Sequence, residues 1–252
     1  MMMFTIAGRE LRSLFISPLA WSILAVVQLI LAYMFLTQLD LYMALQSRLL
    51  GVVGAPGVTE IIAAPLLGNA AVILLLVVPM LTMRLISEER RSQTISLLFS
   101  APLSMTEIVL GKFLGVMVFL LVIVLMIVLM PLSLLLGGSL DLGLLLSGVL
   151  GLILLLASFA AVGLFMSTLT VQPTIAAVSS FGILLLLWII DWAGNNNVSE
   201  ASELFAYLSL LRHFESLLKG VFDSADVIYY LLFVILFLGL SIRRLDADRL
   251  QH

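Results

Sequence analysis

The densest run of charge in the chain is Glu88-Glu89-Arg90-Arg91, and it opens a segment that ends at Pro102. Glu88 and Arg91 are three residues apart, the spacing at which opposite charges pair on one helix face. Thr94 follows, then Ile95, Leu97, Leu98 and Phe99 place four apolar side chains beside the charges. An apolar cluster outside a bilayer needs a cover of lipid or protein. Two readings stand: a short helix pressed into a soluble partner, or a solvated loop with a few lipid-touching residues. Pro102 breaks the segment. Ser104-Met105-Thr106-Glu107 then has capping-box spacing, Ser104 bonding the amide of Glu107 while the Glu107 carboxylate reaches back. Leu103 and Ile108 flank it as a hydrophobic staple, so the sequence specifies a rigid turn and a new helix start.

Other chemistry is thin. The chain has two histidines, His213 and His252, and no cysteine. Metal-ligand spacing and disulfides are therefore not offered. His213 reads as a packing or surface residue, and no nucleophilic triad can be assembled. The phosphate-cradling motif Gly-x-x-x-x-Gly-Lys-Ser/Thr does not occur, because Gly111-Lys112 lacks both the upstream glycine and the hydroxyl residue. No catalytic or metal site is expected, and no basic tract points to nucleic acid.

The elements that position the charged segment are membrane spans. Of the 252 residues, 63% are hydrophobic and 11% charged, against about a quarter charged in soluble domains. The expected fold is all-α, a single polytopic domain of six transmembrane helices. The spans are placed at about 19–38, 65–84, 112–136, 142–169, 174–192 and 226–242, each long enough to cross a bilayer, which takes ~20 residues. Arg84 to Arg91 is read as a continuation of the second helix. Residues 3–16 carry Phe4, Ala7, Leu11, Leu14 and Phe15 at helical spacing, with Arg9, Glu10, Arg12 and Ser13 opposite, which predicts an interfacial helix. The run that follows is too long for a signal peptide.

With the N-terminus cytoplasmic, that side holds Arg9, Arg12, Arg84, Arg90, Arg91, Lys112, Arg243, Arg244 and Arg249, and the other side holds Arg48, Arg212 and Lys219. Nine of the 12 cations inside follows the positive-inside rule and requires an even number of spans, with both termini inside. Trp21, Trp188 and Trp192 sit near span ends, as interfacial anchors do. Within the spans only Gln28, Asn69 and Asp191 are strongly polar, which argues against ion-driven transport. Ala157/Ala161, Gly163/Ser167 and Ala176/Ser180 are spaced four apart and predict close helix packing. Between the fifth and sixth spans, Phe214, Leu217, Leu218, Val221 and Phe222 recur at helical spacing. They predict one or two short outer helices closing the bundle or docking an outer-side partner, with Asp223 or Ser224 capping the last span.

The run Glu88-Glu89-Arg90, Thr94, Leu97-Leu98, Ala101-Pro102, Glu107-Ile108 and Gly111-Lys112 resembles the first cytoplasmic loop of ABC type-2 permeases, most of all the gliding-motility and copper-maturation permeases. The family usually has Gly-Thr where this chain has Gln93-Thr94. Leu211-Arg212-His213-Phe214-Glu215, Lys219-Gly220-Val221-Phe222-Asp223 and Asp226-Val227-Ile228-Tyr229-Tyr230 resemble the segment these permeases carry before their last span. The resemblance implies a half-transporter in a bacterial inner membrane, paired with an identical or related second permease subunit. Two copies of an ABC ATPase subunit, which bind the ATP and Mg, would contact Glu88, Glu89, Arg90, Arg91, Thr94, Leu97, Leu98 and Phe99. Pro102, Ser104 and Glu107 would shape that loop. Phe214, Leu217, Leu218 and Phe222 would form an outer gate or dock a periplasmic partner. Export is the first reading. Mechanotransmission to an outer partner, or a non-ABC scaffold or channel subunit, are the others.

Overall fold

The computed structural model describes residues 2–49, 57–95, 103–136, 140–195 and 207–249. Nine α-helices are traced in them, and no strand occurs among the described residues: α1 (Met2–Ile16), α2 (Pro18–Leu49), α3 (Ala64–Thr82), α4 (Ser87–Arg91), α5 (Met105–Leu132), α6 (Leu142–Leu169), α7 (Pro173–Asn195), α8 (Leu210–Leu218) and α9 (Ser224–Arg249). A π-turn, Thr59–Ala63, leads into α3, and a 3-10 turn, Ser133–Leu136, ends α5. Six helical stretches are long and apolar enough to cross a membrane.

The spans are the six the hydropathy places, but their helices run further. The first extends to Leu49, the third starts at Met105 and the sixth ends at Arg249. Hydropathy marks the bilayer, whereas a helix continues until its backbone is capped. Asp141 does this for α6, its Oδ1 accepting from the amides of Gly143 (2.9 Å) and Leu144 (3.2 Å). Asp223 Oδ1 accepts from the Ala225 amide at 2.9 Å as α9 begins. Ser104 and Glu107 form the expected capping box at the start of α5. Pro131 sits in the last turn of α5, and Val171-Gln172 makes the short turn into α7.

The core is α3, α5 and α6, which bury half or more of their apolar stretches, whereas α2, α7 and α9 bury under a third. Without water between the spans, their association rests on close packing. Small residues supply it at α6. A Cβ on Gly163 would lie 2.8 Å from the Thr82 Cβ, and one on Gly151 would lie 2.9 Å from the Leu217 Cβ. Ala161, Ser167, Ala176 and Ser180 are all buried.

The ends of the bundle alternate as six spans require. At one end α1, α4, the start of α5 and the end of α9 meet: Lys112 bonds Glu10 and Glu89, and Arg90 bonds Asp248. At the other end the Thr59 hydroxyl accepts from the Asp141 amide at 2.8 Å, and Ser147 donates to the Leu217 carbonyl at 2.8 Å.

One expectation for the second span is corrected. Arg84 to Arg91 does not continue α3. The helix stops at Thr82, the chain turns over residues 83–86, and α4 starts afresh at Ser87. Ser167 of α6 holds the break. Its hydroxyl donates to the Met83 carbonyl (3.1 Å) and accepts from the amides of Ile86 and Ser87 (both 3.0 Å). Ser87 Oγ also donates to the Met83 carbonyl. A buried hydroxyl thus replaces the intrahelical partners that the turn removes.

Candidate functional site

The charged segment is bound into the bundle on one face and free on the other. Lys112, about two turns into α5, is 2% exposed. Its Nζ donates to Glu89 Oε1 of α4 at 2.9 Å and to Glu10 Oε2 of α1 at 3.3 Å. Arg9 adds a 3.4 Å contact to the same Glu89 oxygen. One cation therefore joins three helices. A buried ion survives only when paired and hydrogen-bonded, and stripping one partner typically costs about 3–5 kcal/mol.

The α1–α5 crossing brings these groups together. A Cβ on Gly111 would lie 2.8 Å from the Ile6 Cβ and 2.9 Å from the Met3 carbonyl oxygen; one on Gly115 would lie 2.8 Å from the Glu10 Cβ. Two glycines four apart let the backbones approach, the small-xxx-small arrangement. Phe15 packs edge-on to Phe119 at 5.4 Å further along, and Trp21 Nε1 donates to the Phe15 carbonyl at 2.7 Å. Glu10 thus turns inward to Lys112, although the amphipathic pattern put it on the water side. Met2, Phe4 and Ile16 stay exposed.

Arg90 faces inward too, bonding Asp248 of α9, which also meets Arg244 at 3.5 Å. Arg249 donates to the Leu103 carbonyl at 3.5 Å, tying α9 to the entry of α5. Glu88 and Arg91 do not pair, which corrects the spacing argument: α4 is five residues long, and Glu89 and Arg90 take its inward face. Glu88, Arg91 and Thr94 are exposed. The chain leaves α4 through a tight turn in which Gln93 adopts φ 58°. That is the left-handed region where a glycine is at ease, and here a glutamine stands in it. Thr94 N closes the turn on the Glu89 carbonyl at 3.0 Å. Leu97, Leu98, Phe99 and Pro102 lie outside the described residues. Ser104 and Glu107 stand where α5 begins.

At the opposite end α8 packs against α3, α6, α7 and α9. Phe214 and Leu217 are buried, and Leu218 is half-buried. The stripe stops there. Lys219 and Gly220 (φ 78°) turn the chain out of this short helix, so Val221 and Phe222, the last two residues of the apolar stripe, are exposed rather than packed on the bundle. His213 is a packing residue. Its Nδ1 lies 2.6 Å from Asp226 Oδ1, its Nε2 lies 2.9 Å from the Tyr207 carbonyl, and its ring stacks on Tyr229 at 4.0 Å. Tyr229 and Tyr230 donate to the carbonyls of Leu208 and Leu210. These bonds fasten α8 and the chain before it to the start of α9.

Among the described residues no cluster of His, Cys, Asp or Glu is placed to hold a metal. The two ends differ in kind: one is an ion-paired junction with a free charged rim, the other a buried aromatic lock. No curated protein matches the sequence. A family model described as "ABC-2 family transporter protein" matches residues 4–250, from α1 to the end of α9. Six spans, a charged segment after the second of them and a match over nearly the whole length agree, and the chain belongs to the ABC-2 transporter family as a membrane-spanning permease subunit.

Proposed function

We propose that this chain is the membrane half of an ATP-driven exporter, moved by a separate ATPase that docks on the free rim of α4. The observation that carries this is the two-faced α4: Glu89 and Arg90 bind it to α1, α5 and α9, while Glu88, Arg91 and Thr94 face away. A load on that rim is passed to three helices at once through Lys112 and Asp248. ATP and Mg belong to the partner, since this chain lacks a phosphate-cradling loop. Two ATPase copies and a second permease subunit, identical or related, complete the transporter. The ion-paired end is the cytoplasmic one, by the cation excess, and the membrane is the bacterial inner membrane. The gliding-motility and copper-maturation permeases are the relatives whose loop this chain most resembles.

The test separates the two faces of α4. Exchanging the exposed charges, Glu88→Lys with Arg91→Glu, is expected to release the ATPase on co-purification in mild detergent while the permease stays folded. A complex that survives the exchange with unchanged transport-linked ATP hydrolysis would remove this rim from the docking surface.

Mechanotransmission is a second reading, favoured by α8. That helix touches α3, α6, α7 and α9 together, so motion of those spans reaches the outer surface directly.

A further inference from the structure

The aromatic lock at the outer end keeps its hydrogen bonds in one protonation state only. His213 of α8 is 7% exposed, and both of its ring nitrogens face oxygen. Nε2 lies 2.9 Å from the Tyr207 carbonyl, which can only accept, so Nε2 carries a hydrogen. Nδ1 lies 2.6 Å from Asp226 Oδ1, and that contact also needs a hydrogen between its two atoms. A neutral imidazole supplies one N–H and a carboxylate supplies none. The cluster therefore holds one proton more than a neutral histidine beside an ionised aspartate.

Among the described residues no neighbouring group replaces that proton. Asp226 is 7% exposed, and its Oδ2 is buried without a hydrogen-bond partner. Tyr229 stacks on the His213 ring, while Tyr207 and Tyr230 meet it edge-on. The hydroxyls of Tyr229 and Tyr230 already donate to the carbonyls of Leu208 and Leu210. Of the other helices packed on α8, α3 and α6 carry no ionisable side chain, and α7 carries only Asp191. Arg212 and Glu215 of α8 and Asp223 ahead of α9 are exposed, and Glu215 pairs with Lys219. A carboxylic acid gives up its proton more readily than an imidazolium, so the proton sits on Nδ1. Without it, one negative charge stays uncompensated in a buried site, and two lone pairs face each other.

We infer that His213 is a proton-dependent latch: its imidazolium, bonded to Asp226 and to the Tyr207 carbonyl, fastens α8 to the start of α9, and loss of that proton to solvent releases α8. When α8 leaves, His213 parts from Asp226 and becomes an ordinary imidazole, half-protonated at about pH 6.5. Above that pH, opening gives up a proton, so the open form gains on the closed form as the pH rises. Below it the proton stays bound in both forms, and the hold on α8 does not change with pH. One proton makes the steepest change about tenfold per pH unit. The latch stands apart from the coupling reading, because it lies at the opposite end of the bundle and requires no ATPase.

Hydrogen exchange of the full chain in mild detergent, from about pH 5 to about pH 8, tests it, with each rate divided by the chemical exchange rate at that pH. Protection of residues 210–218 is expected to be flat below about pH 6.5 and to fall by up to about tenfold per pH unit above it, while α6 keeps its protection. Asp226→Asn offers a side-chain amide that donates to Nδ1 of a neutral imidazole, so its profile is expected to be flat throughout. Nitrogen NMR of the chain labelled at histidine, with His252→Gln removing the other imidazole, keeps the test decisive even where the Asp226 variant misfolds. Both ring nitrogens of His213 are expected to carry hydrogen at about pH 6.5. A flat wild-type profile, an unchanged slope in Asp226→Asn, or a ring with a single N–H overturns the inference. A slope shared equally by α6 assigns the effect to loosening of the whole bundle and overturns it too.

Discussion

Lys112 is the residue on which the charged end depends, and it is the plainest case of position changing the meaning of a residue type. As a letter in the sequence it is one more cation on the positive side. In the fold it is a buried charge with two carboxylates, 2.9 and 3.3 Å away, on two other helices. Replacing it by Met leaves Glu10 without its cation and Glu89 with only the 3.4 Å contact from the exposed Arg9. The expected loss is about 3–5 kcal/mol at this junction. It is checked by limited trypsin digestion in detergent, where cleavage at Arg9 and Arg12 should quicken as α1 detaches. An unchanged rate would mean that the glycine crossing alone holds α1. Ser167 makes a parallel case. Ser167→Ala leaves the amides of Ile86 and Ser87 without their acceptor, at about 1–3 kcal/mol for buried groups left unmade. Hydrogen exchange at those two amides should speed up, with α3 itself unaffected. Neither role was legible beforehand, since a pair 23 or 102 residues apart in the chain leaves no local pattern. The local devices were legible: the Ser104–Glu107 capping box and the Asp223 cap involve residues within a turn of each other, so spacing alone specifies them.

At the scale of elements, apolar periodicity located every span but not where each helix stops. The break after Thr82 is the clearest instance. Nothing between Arg84 and Arg91 is a helix breaker, and the turn exists because Ser167 of another helix satisfies it. The outer stripe is the reverse instance, where Lys219-Gly220 ends α8 and the apolar spacing runs on regardless to Phe222. The packing of α8 yields a prediction at this scale. Phe214→Asp with Leu217→Asp puts two carboxylates into positions 1% and 0% exposed, against Gly151 and the facing turn of α6. Burying unpaired charge is prohibitive, so α8 should leave the bundle. Hydrogen exchange of residues 210–218 should rise to loop-like rates while the spans stay protected and inserted. Retained protection would show that the aromatic lock around His213 and Tyr229 holds α8 without its apolar face.

For the whole molecule, composition and the cation count carry most of the architecture. A chain with 63% apolar residues has to solvate its surface with lipid, and nine cations on one side require paired spans. Reporter fusions after Arg91 and His252 should read cytoplasmic, and fusions at Leu50 and Gly194 should read outside. A fusion at His252 that reads outside contradicts the six-span arrangement. The way force reaches the spans is not a property of composition. In the proposed coupling it rests on which charges of one short helix turn inward, and those are set by Lys112 and Asp248 from elsewhere in the chain.

The central claim is that a separate ATPase seats on the free rim of α4. Photo-crosslinking in the native membrane addresses it directly, with the crosslinking amino acid placed singly at Glu88, Arg91 and Thr94, and at Leu208 of the opposite end as control. The account predicts that the three α4 sites capture one ATP-binding subunit, in yields that change when ATP is replaced by a non-hydrolysable analogue, and that Leu208 does not capture it. Lipid-only adducts at all three α4 sites, or capture of the ATPase from Leu208, would contradict it.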